Sequence, residues 1–336
     1  MEFVILSKPP LRSEGPGRAA RTVAFSATEK IARLARFLTI LLLLSSFAFA
    51  DIVTDVRIAI AQRDFSAANS ELQSYRLQRG IDPQYLEALS WMARGYLSAN
   101  QLDQAQAIAK QTESSALQLL QQRSLDAEPH LPQALGAAIE VQAQVLAARG
   151  QNSQAAALLR KNRATYRNTS LCARLQKNLN MLGLAGRPAP QLAVTEYLGI
   201  RPSSLTQLKG SPVLLFFWAH WCGDCKYEGP IISQLSNEYA GRGLKVEAPT
   251  QLYGYAAYGE DAKPKDELAY IARVWEHFYP GLQQVPVPVS KLNFDRYGAS
   301  TTPTIVLIDR KGKVALYHPG VMSYDDLRAA IEKALS

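Results

Sequence analysis

The chain has 336 residues, 47% of them hydrophobic, which is long for one ordinary domain and too apolar for a disordered polymer. Its formal charge of +8 falls to +4 once the seven basic and three acidic residues of 1–50 are set aside, a surplus too small to suggest nucleic-acid binding. Three cysteines, Cys172, Cys222 and Cys225, are too few for a disulfide-stapled scaffold of this size.

Residues 37–50 read FLTILLLLSSFAFA, an apolar run preceded by Lys30, Arg33 and Arg36 and closed by the small-residue pattern Ala48-Phe49-Ala50. This predicts a secretory leader over 1–50, cut after Ala50. The alternative is an uncleaved anchor in the inner membrane, although the run is short of the roughly 20 residues a spanning helix needs. No cysteine follows the run, which speaks against a lipid anchor. Export would place the cysteines where disulfides form and persist, in a periplasm or cell envelope.

Residues 51–185 are rich in Ala, Leu and Gln, with apolar residues at helical spacing. DFSAANSEL (64–72), QLDQAQAIA (101–109) and QNSQAAALL (151–159) share a turn-like start, with Ala68, Ala105 and Ala155 in equivalent places. Helical runs precede the second and third, so each unit reads as helix, tight turn and helix. The pattern resembles degenerate tetratricopeptide repeats, with spacings of 37 and 50 residues and with Ala93 and Ala143 where those repeats carry Gly. A plain helical bundle is the alternative. Tyr85, Trp91 and Tyr96 read as core, and Cys172 as a small buried hydrophobe. No cluster of His, Asp or Glu suggests catalysis here, so a docking surface for a partner protein is the natural role.

Gly186-Arg187-Pro188-Ala189-Pro190 breaks the helical pattern, and a second domain is expected over 186–336. PVLLFFWA (212–219) is a buried strand, followed by a helix from Gly223 to Tyr239. LKVEAPT (244–250) reads as a strand and PKDELAYIARVWEHFY (264–279) as a helix; TPTIVLIDR (302–310) and KVALYHP (313–319) form a hairpin, and YDDLRAAIEKAL (324–335) closes the chain as a helix. The order β-α-β-α-β-β-α, with additions, is that of a thioredoxin fold. The fold class is therefore an all-α repeat-like region followed by an α/β thioredoxin-like domain. Pro249 to Lys265, with Tyr253, Tyr255 and Tyr258, is long for a connection and is either a partner-contacting loop or a plain exposed one.

WAHWCGDCKYEGP (218–230) holds the chemistry. Cys222, between strand and helix, sits where unpaired backbone N–H groups and the helix dipole favour a thiolate, the nucleophile of thiol–disulfide exchange. Cys225, one turn inward, can resolve a mixed disulfide. A metal site would need two further soft ligands, and a staple across two residues would constrain almost nothing in the unfolded chain. Exchange is the reading that remains.

GRPAPQLAV, SSLTQLKGSPVLLFFWAHWCGDCKYEGP, TTPTIVLIDRKGKV and the terminal helix together resemble the TlpA-like branch of the thioredoxin superfamily, envelope thiol-disulfide oxidoreductases, over residues 186–336. The resemblance implies that Cys222 attacks and Cys225 resolves. Glu228 and Pro230 match the acid and proline that follow the motif, and Glu228 is either a proton relay for the resolving thiol or a solvated acid. Pro303 after Thr302 matches a cis-proline that offers backbone groups to substrate. Trp221 is a candidate substrate-facing platform, whereas core packing accounts for Trp218. Phe216 stands where classical thioredoxins bury an aspartate, and Gly223-Asp224 replaces the common Gly-Pro. Asp224 would then disfavour the Cys222 thiolate and make the couple more reducing, with His220 offsetting this if protonated or else standing by.

The expected activity is an exported thiol-disulfide oxidoreductase that reduces protein disulfides with electrons from an envelope donor, without cofactor or metal. Two rivals are an adaptor whose helices bind partners while the redox centre is secondary, and a thiol peroxidase, which would need Thr or Ser where Ala219 stands.

Overall fold

The same turn closes three helices in the first half of the chain. In the computed structural model, which describes residues 51–194 and 196–336, α1 (Ile52–Ala61) meets α2 (Phe65–Arg79), α3 (Pro83–Ser98) meets α4 (Leu102–Leu119), and α5 (His130–Ala148) meets α6 (Asn152–Thr165). The second residue after each first helix is left-handed: Arg63 at φ 60°, Asn100 at 57° and Gly150 at 77°. The next amide then donates back to a carbonyl five residues earlier, Asp64 to Ala59 at 2.9 Å, Gln101 to Tyr96 at 2.8 Å and Gln151 to Leu146 at 2.8 Å. This satisfies carbonyls that a helix end leaves orphaned. Only Gly150 adopts the conformation without steric penalty. Ala68, Ala105 and Ala155, each fourth in its helix, are fully buried, and their small size lets the paired helices close up.

The expected leader lies outside the described residues, and among the described residues no helix is long and apolar enough to cross a membrane. A seventh helix, α7 (Leu171–Gly183), carries Cys172, which is buried and outside any disulfide.

Past Gly183 the chain becomes α/β. A four-stranded sheet runs β3 (Lys245–Glu247), β2 (Val213–Phe217), β5 (Thr304–Ile308), β6 (Val314–Pro319), with β2 parallel to β3 and the other pairs antiparallel. Alternate residues serve opposite faces. Leu214 and Phe216 join the core beneath α8 (Gly223–Ala240), α9 (Pro264–Phe278) and α11 (Tyr324–Leu335), while Val213, Leu215 and Phe217 face a second core with Phe294 and Tyr297. These strands and helices follow the expected order. The additions are a two-stranded antiparallel ribbon of β1 (Tyr197–Leu198) and β4 (Val287–Pro288), and a seven-residue helix, α10 (Lys291–Tyr297), too short to declare a period in sequence.

That short helix joins the two halves. Asn180 of α7 donates through Nδ2 to the Tyr297 carbonyl at 2.8 Å, and Tyr317 of β6 donates its hydroxyl to the same carbonyl at 2.8 Å. Gly298, which ends α10 at φ 61°, lies directly against the backbone of Gln176 and Lys177. The helical half is thus seated on the chain that leads into Thr302.

Candidate active site

Strand β2 is buried throughout and delivers the chain to Trp218, whose indole Nε1 donates to the Ala248 carbonyl at 3.0 Å. Four residues later Cys222 caps α8, its Sγ accepting the Cys225 backbone N–H at 3.0 Å. The two cysteines are joined as a disulfide, the oxidised state of the pair. Cys225 is fully buried and Cys222 is 4% exposed, so an attacking sulfur has access only to the cap position. The first amides of the helix surround Cys222, and on reduction they stabilise a thiolate there.

Opposite the disulfide, the Thr302–Pro303 peptide is cis and the Thr302 carbonyl oxygen lies 3.4 Å from Cys222 Sγ. The Thr302 hydroxyl is buried and has no partner among the described residues. Trp221 is half exposed, with its ring edge-on to Tyr253 at 5.6 Å. Gly223 and Asp224 are exposed on the first turn of α8.

Glu228 follows Cys225 by three residues, on the same helix face, and has no exposed surface. Its Oε2 accepts the Met322 N–H at 3.1 Å, while Oε1 has no partner among the described residues. Burial disfavours the charge and pushes the carboxyl up to about 7, with the Met322 amide pulling weakly the other way. Pro230 lies within α8. Gly229 fits because a Cβ there would stand 2.6 Å from the Tyr279 ring. A second buried acid, Glu247 on β3, is likewise raised by burial to about 7, and its Oε2 has no partner among the described residues. In register it stands opposite Leu215, away from the dithiol face. Sequence reasoning passed over it, although an acid inside an apolar strand is itself a signal.

His220 is buried among the rings of Tyr253, Tyr255 and Tyr270, at 5.5, 5.3 and 5.4 Å. Its Nε2 lies 3.5 Å from Oε1 of Glu267, an electrostatic contact too long for a well-formed hydrogen bond. Burial lowers the imidazole pKa more than the Glu267 charge raises it, so the ring is neutral near pH 7 and adds no positive charge beside Asp224. Glu267 is a residue that sequence reasoning missed. It is buried on α9 and accepts the N–H groups of Tyr253 at 2.5 Å and Gly254 at 2.9 Å, fixing the tyrosine loop against the motif. Nothing in PKDELAYIARVWEHFY singles out that acid from its neighbours. Tyr258 at the loop tip is fully exposed.

A cleft of about 670 Å³ opens beside Trp221 and Thr302, and residues 167–170 of the helical half form its far wall. Among the described residues, no three His, Cys, Asp or Glu side chains gather as a metal-binding set.

A family model described as a thioredoxin-like domain matches residues 204–335. The thiol-disulfide oxidoreductase ResA of Bacillus thuringiensis is 31% identical over 150 residues, 44% of this chain and 77% of that protein. The thioredoxin-like protein YneN of Bacillus subtilis is 29% identical over 147 residues, again 44% of this chain and 78% of the relative. A crystal structure of a thiol:disulfide interchange protein of the thioredoxin family from Chlorobium tepidum aligns with 44% of this chain and 96% of its own, at 21% identity and a TM-score of 0.35.

Proposed function

The chain belongs to the thioredoxin-like thiol-disulfide oxidoreductases, and from that premise we propose that it works outside the cytoplasm as a reductase of protein disulfides. The observation that carries the reading is the Cys222–Cys225 pair at the start of α8, with the Cys222 sulfur 3.4 Å from the Thr302 carbonyl and Glu228 buried one turn below. The apolar run of 37–50 supports export.

In the dithiol state the Cys222 thiolate attacks one sulfur of a substrate disulfide, forming a mixed disulfide and releasing the other substrate sulfur as a thiolate that takes a proton. Trp221 supports the substrate chain, and Thr302 offers its backbone carbonyl to the chain beside the scissile bond. Glu228 then accepts the Cys225 proton; a carboxyl near 7 is half ionised at neutral pH and suits this transfer. The Cys225 sulfur attacks Cys222 Sγ and expels the second substrate sulfur, which is protonated in turn. The substrate gains two electrons and two protons, and the protein is left as the disulfide. A dithiol donor protein restores the reduced form by the reverse exchange. Asp224, exposed on the first turn of α8, biases the couple toward reduction of partners, and the helical half docks them.

Reduction of insulin disulfides, with the protein kept reduced by a chemical dithiol, tests the reading. Cys222→Ser abolishes turnover, and Cys225→Ser accumulates a mixed disulfide with Cys222. Turnover by Cys222→Ser at the parent rate overturns it.

A further inference from the structure

We propose that the seam between the helical half and the segment leading into Thr302 is an acidic-peptide groove: it holds the carboxylate-bearing flank of the substrate polypeptide, recognised by Arg94, Arg174 and Lys177. The proposal rests on the reductase reading and deepens it by naming the chemistry of the substrate.

The cleft beside Trp221 does not end at the redox centre. It meets a second cleft of about 690 Å³, and Ser170 and Ser300 line both. Ser300 and Thr301 immediately precede Thr302, so a chain seated against the Thr302 backbone and continuing past Ser300 enters the second cleft within a few residues. Both are of the size that encloses several side chains.

The charges differ sharply between the two. In the first, Lys291 pairs with Asp295 at 2.7 Å, and Asp126 accepts from the backbone and hydroxyl of Ser170. With Arg167 the lining carries two cations and two carboxylates, and the balanced space suits uncharged backbone. In the second, three cations face one carboxylate. Glu140 is held by Arg174 at 2.6 Å and Lys177 at 3.1 Å; against the penalty of burial, those two cations pull it down to about 2. Arg94 has no carboxylate within ion-pair distance among the described residues. Its guanidinium lies 4.4 Å from the centre of the Trp91 ring, with Arg57 at 4.7 Å from the same ring. Stacking holds Arg94 in place without neutralising it. Burial, and then the Arg174 charge, push its pKa down to about 10 against the opposing charges of Glu140 and Glu87. Among the described residues the buried Nε1 of Trp91 also has no acceptor. The cleft therefore holds more cations than carboxylates, and a planar guanidinium without an ion-paired carboxylate is suited to one. Continuity with the redox centre makes a polypeptide the fitting source of that carboxylate, because one chain can occupy both clefts at once.

The test uses the full chain in its reduced state and two peptides that share one intramolecular disulfide loop, flanked by three Glu in one and three Lys in the other. At low ionic strength kcat/KM for the Glu peptide exceeds that for the Lys peptide by about tenfold, and the ratio shrinks as salt is added. Arg94→Gln, which leaves no buried carboxylate stranded, collapses the ratio, and Arg94→Lys restores part of it. Both peptides are read on the same sample, so loss of folded protein cancels. A ratio near one in the parent, or a ratio unchanged by Arg94→Gln, overturns the proposal. A cysteine-free Glu peptide, titrated by tryptophan fluorescence, separates the two levels. If neither disulfide peptide is reduced while this peptide binds, the reductase reading fails and the groove stands. If inorganic phosphate displaces it and the kinetic ratio is one, the cleft serves a free small anion and the groove falls.

Discussion

Gly298 meets Lys177 backbone to backbone: a Cβ on Gly298 would stand 2.2 Å from the Lys177 amide nitrogen and 2.6 Å from the Gln176 carbonyl carbon. Only a residue without a side chain fits, and its φ of 61° favours glycine independently. The contact lies four residues before Thr302, so the seam that joins the two halves also fixes the segment that faces the Cys222 sulfur.

Gly298→Ala forces either α7 or the 298–302 segment to move. Left-handed strain of about 1–2 kcal/mol adds to about 1–3 kcal/mol of overpacking, since neither neighbour is a flexible side-chain end. The variant unfolds at a lower urea midpoint and reduces peptide disulfides more slowly than it reduces a small aromatic disulfide reagent. An unchanged midpoint would show that the seam is loose.

The pH response follows from two buried acids. Glu228 and Glu247 both have folded pKa values raised to about 7, above the 4.5 of a free glutamate. A raised carboxyl means that the folded state holds its proton more tightly, so the associated stability is fully present below about 4.5 and is lost as pH rises through about 7. Each acid contributes on the order of 2–3 kcal/mol to that loss. Denaturation of the disulfide form between pH 4.5 and 8 shows the decline, and Glu228→Gln and Glu247→Gln each flatten part of it. A decline of the same steepness in both variants would remove the assignment.

Glu228 also leaves a kinetic signature that Glu247 does not share. Release of substrate from the mixed disulfide accelerates as pH rises through about 7, because the carboxylate form accepts the Cys225 proton. In Glu228→Gln the step slows by about 10- to 100-fold and loses that inflection. Glu247→Gln, on the other face of the sheet, keeps it. Rapid-mixing kinetics of both variants distinguish a proton relay from a merely buried acid.

Glu267 is predicted to position rather than react. Its two oxygens accept two loop amides, and Glu267→Gln presents an amide N–H₂ to one of them, at a cost of about 1–3 kcal/mol. The loop loosens, the fluorescence of Trp221 beside Tyr253 changes, and the His220 imidazole pKa falls further once the neighbouring charge is gone. Imidazole titration by NMR reads that fall; an upward shift contradicts the pairing.

Asp224 supplies the last prediction. Asp224→Asn removes a negative charge from the first turn beside Cys222, which favours the thiolate and raises the reduction potential by about 10–20 mV. Equilibration against glutathione buffers measures it, and an equal or more negative potential dismisses the residue as a tuning group.

The placement of Cys222 and Cys225 between strand and helix was legible before any fold was known because its requirements are local. A strand, a short link, a cysteine cap and a second cysteine one turn on form a run of consecutive residues, and the unbroken apolar run VLLFF and the spacing of Cys222 and Cys225 suffice to place them. The three helix-closing turns were legible for the same reason, since Ala68, Ala105 and Ala155 mark them at fixed distance from Arg63, Asn100 and Gly150. Tertiary structure decided whatever depends on neighbours remote in the chain. Glu267 reaches His220 across 47 positions, Gly298 meets Lys177 across 121, and Arg94 faces Ser300 across more than 200. The neutrality of His220 and the raised carboxyl of Glu228 were decided there too, because the free energy of a charge is set by the solvent and dipoles around it, and those are fixed only when distant segments pack together.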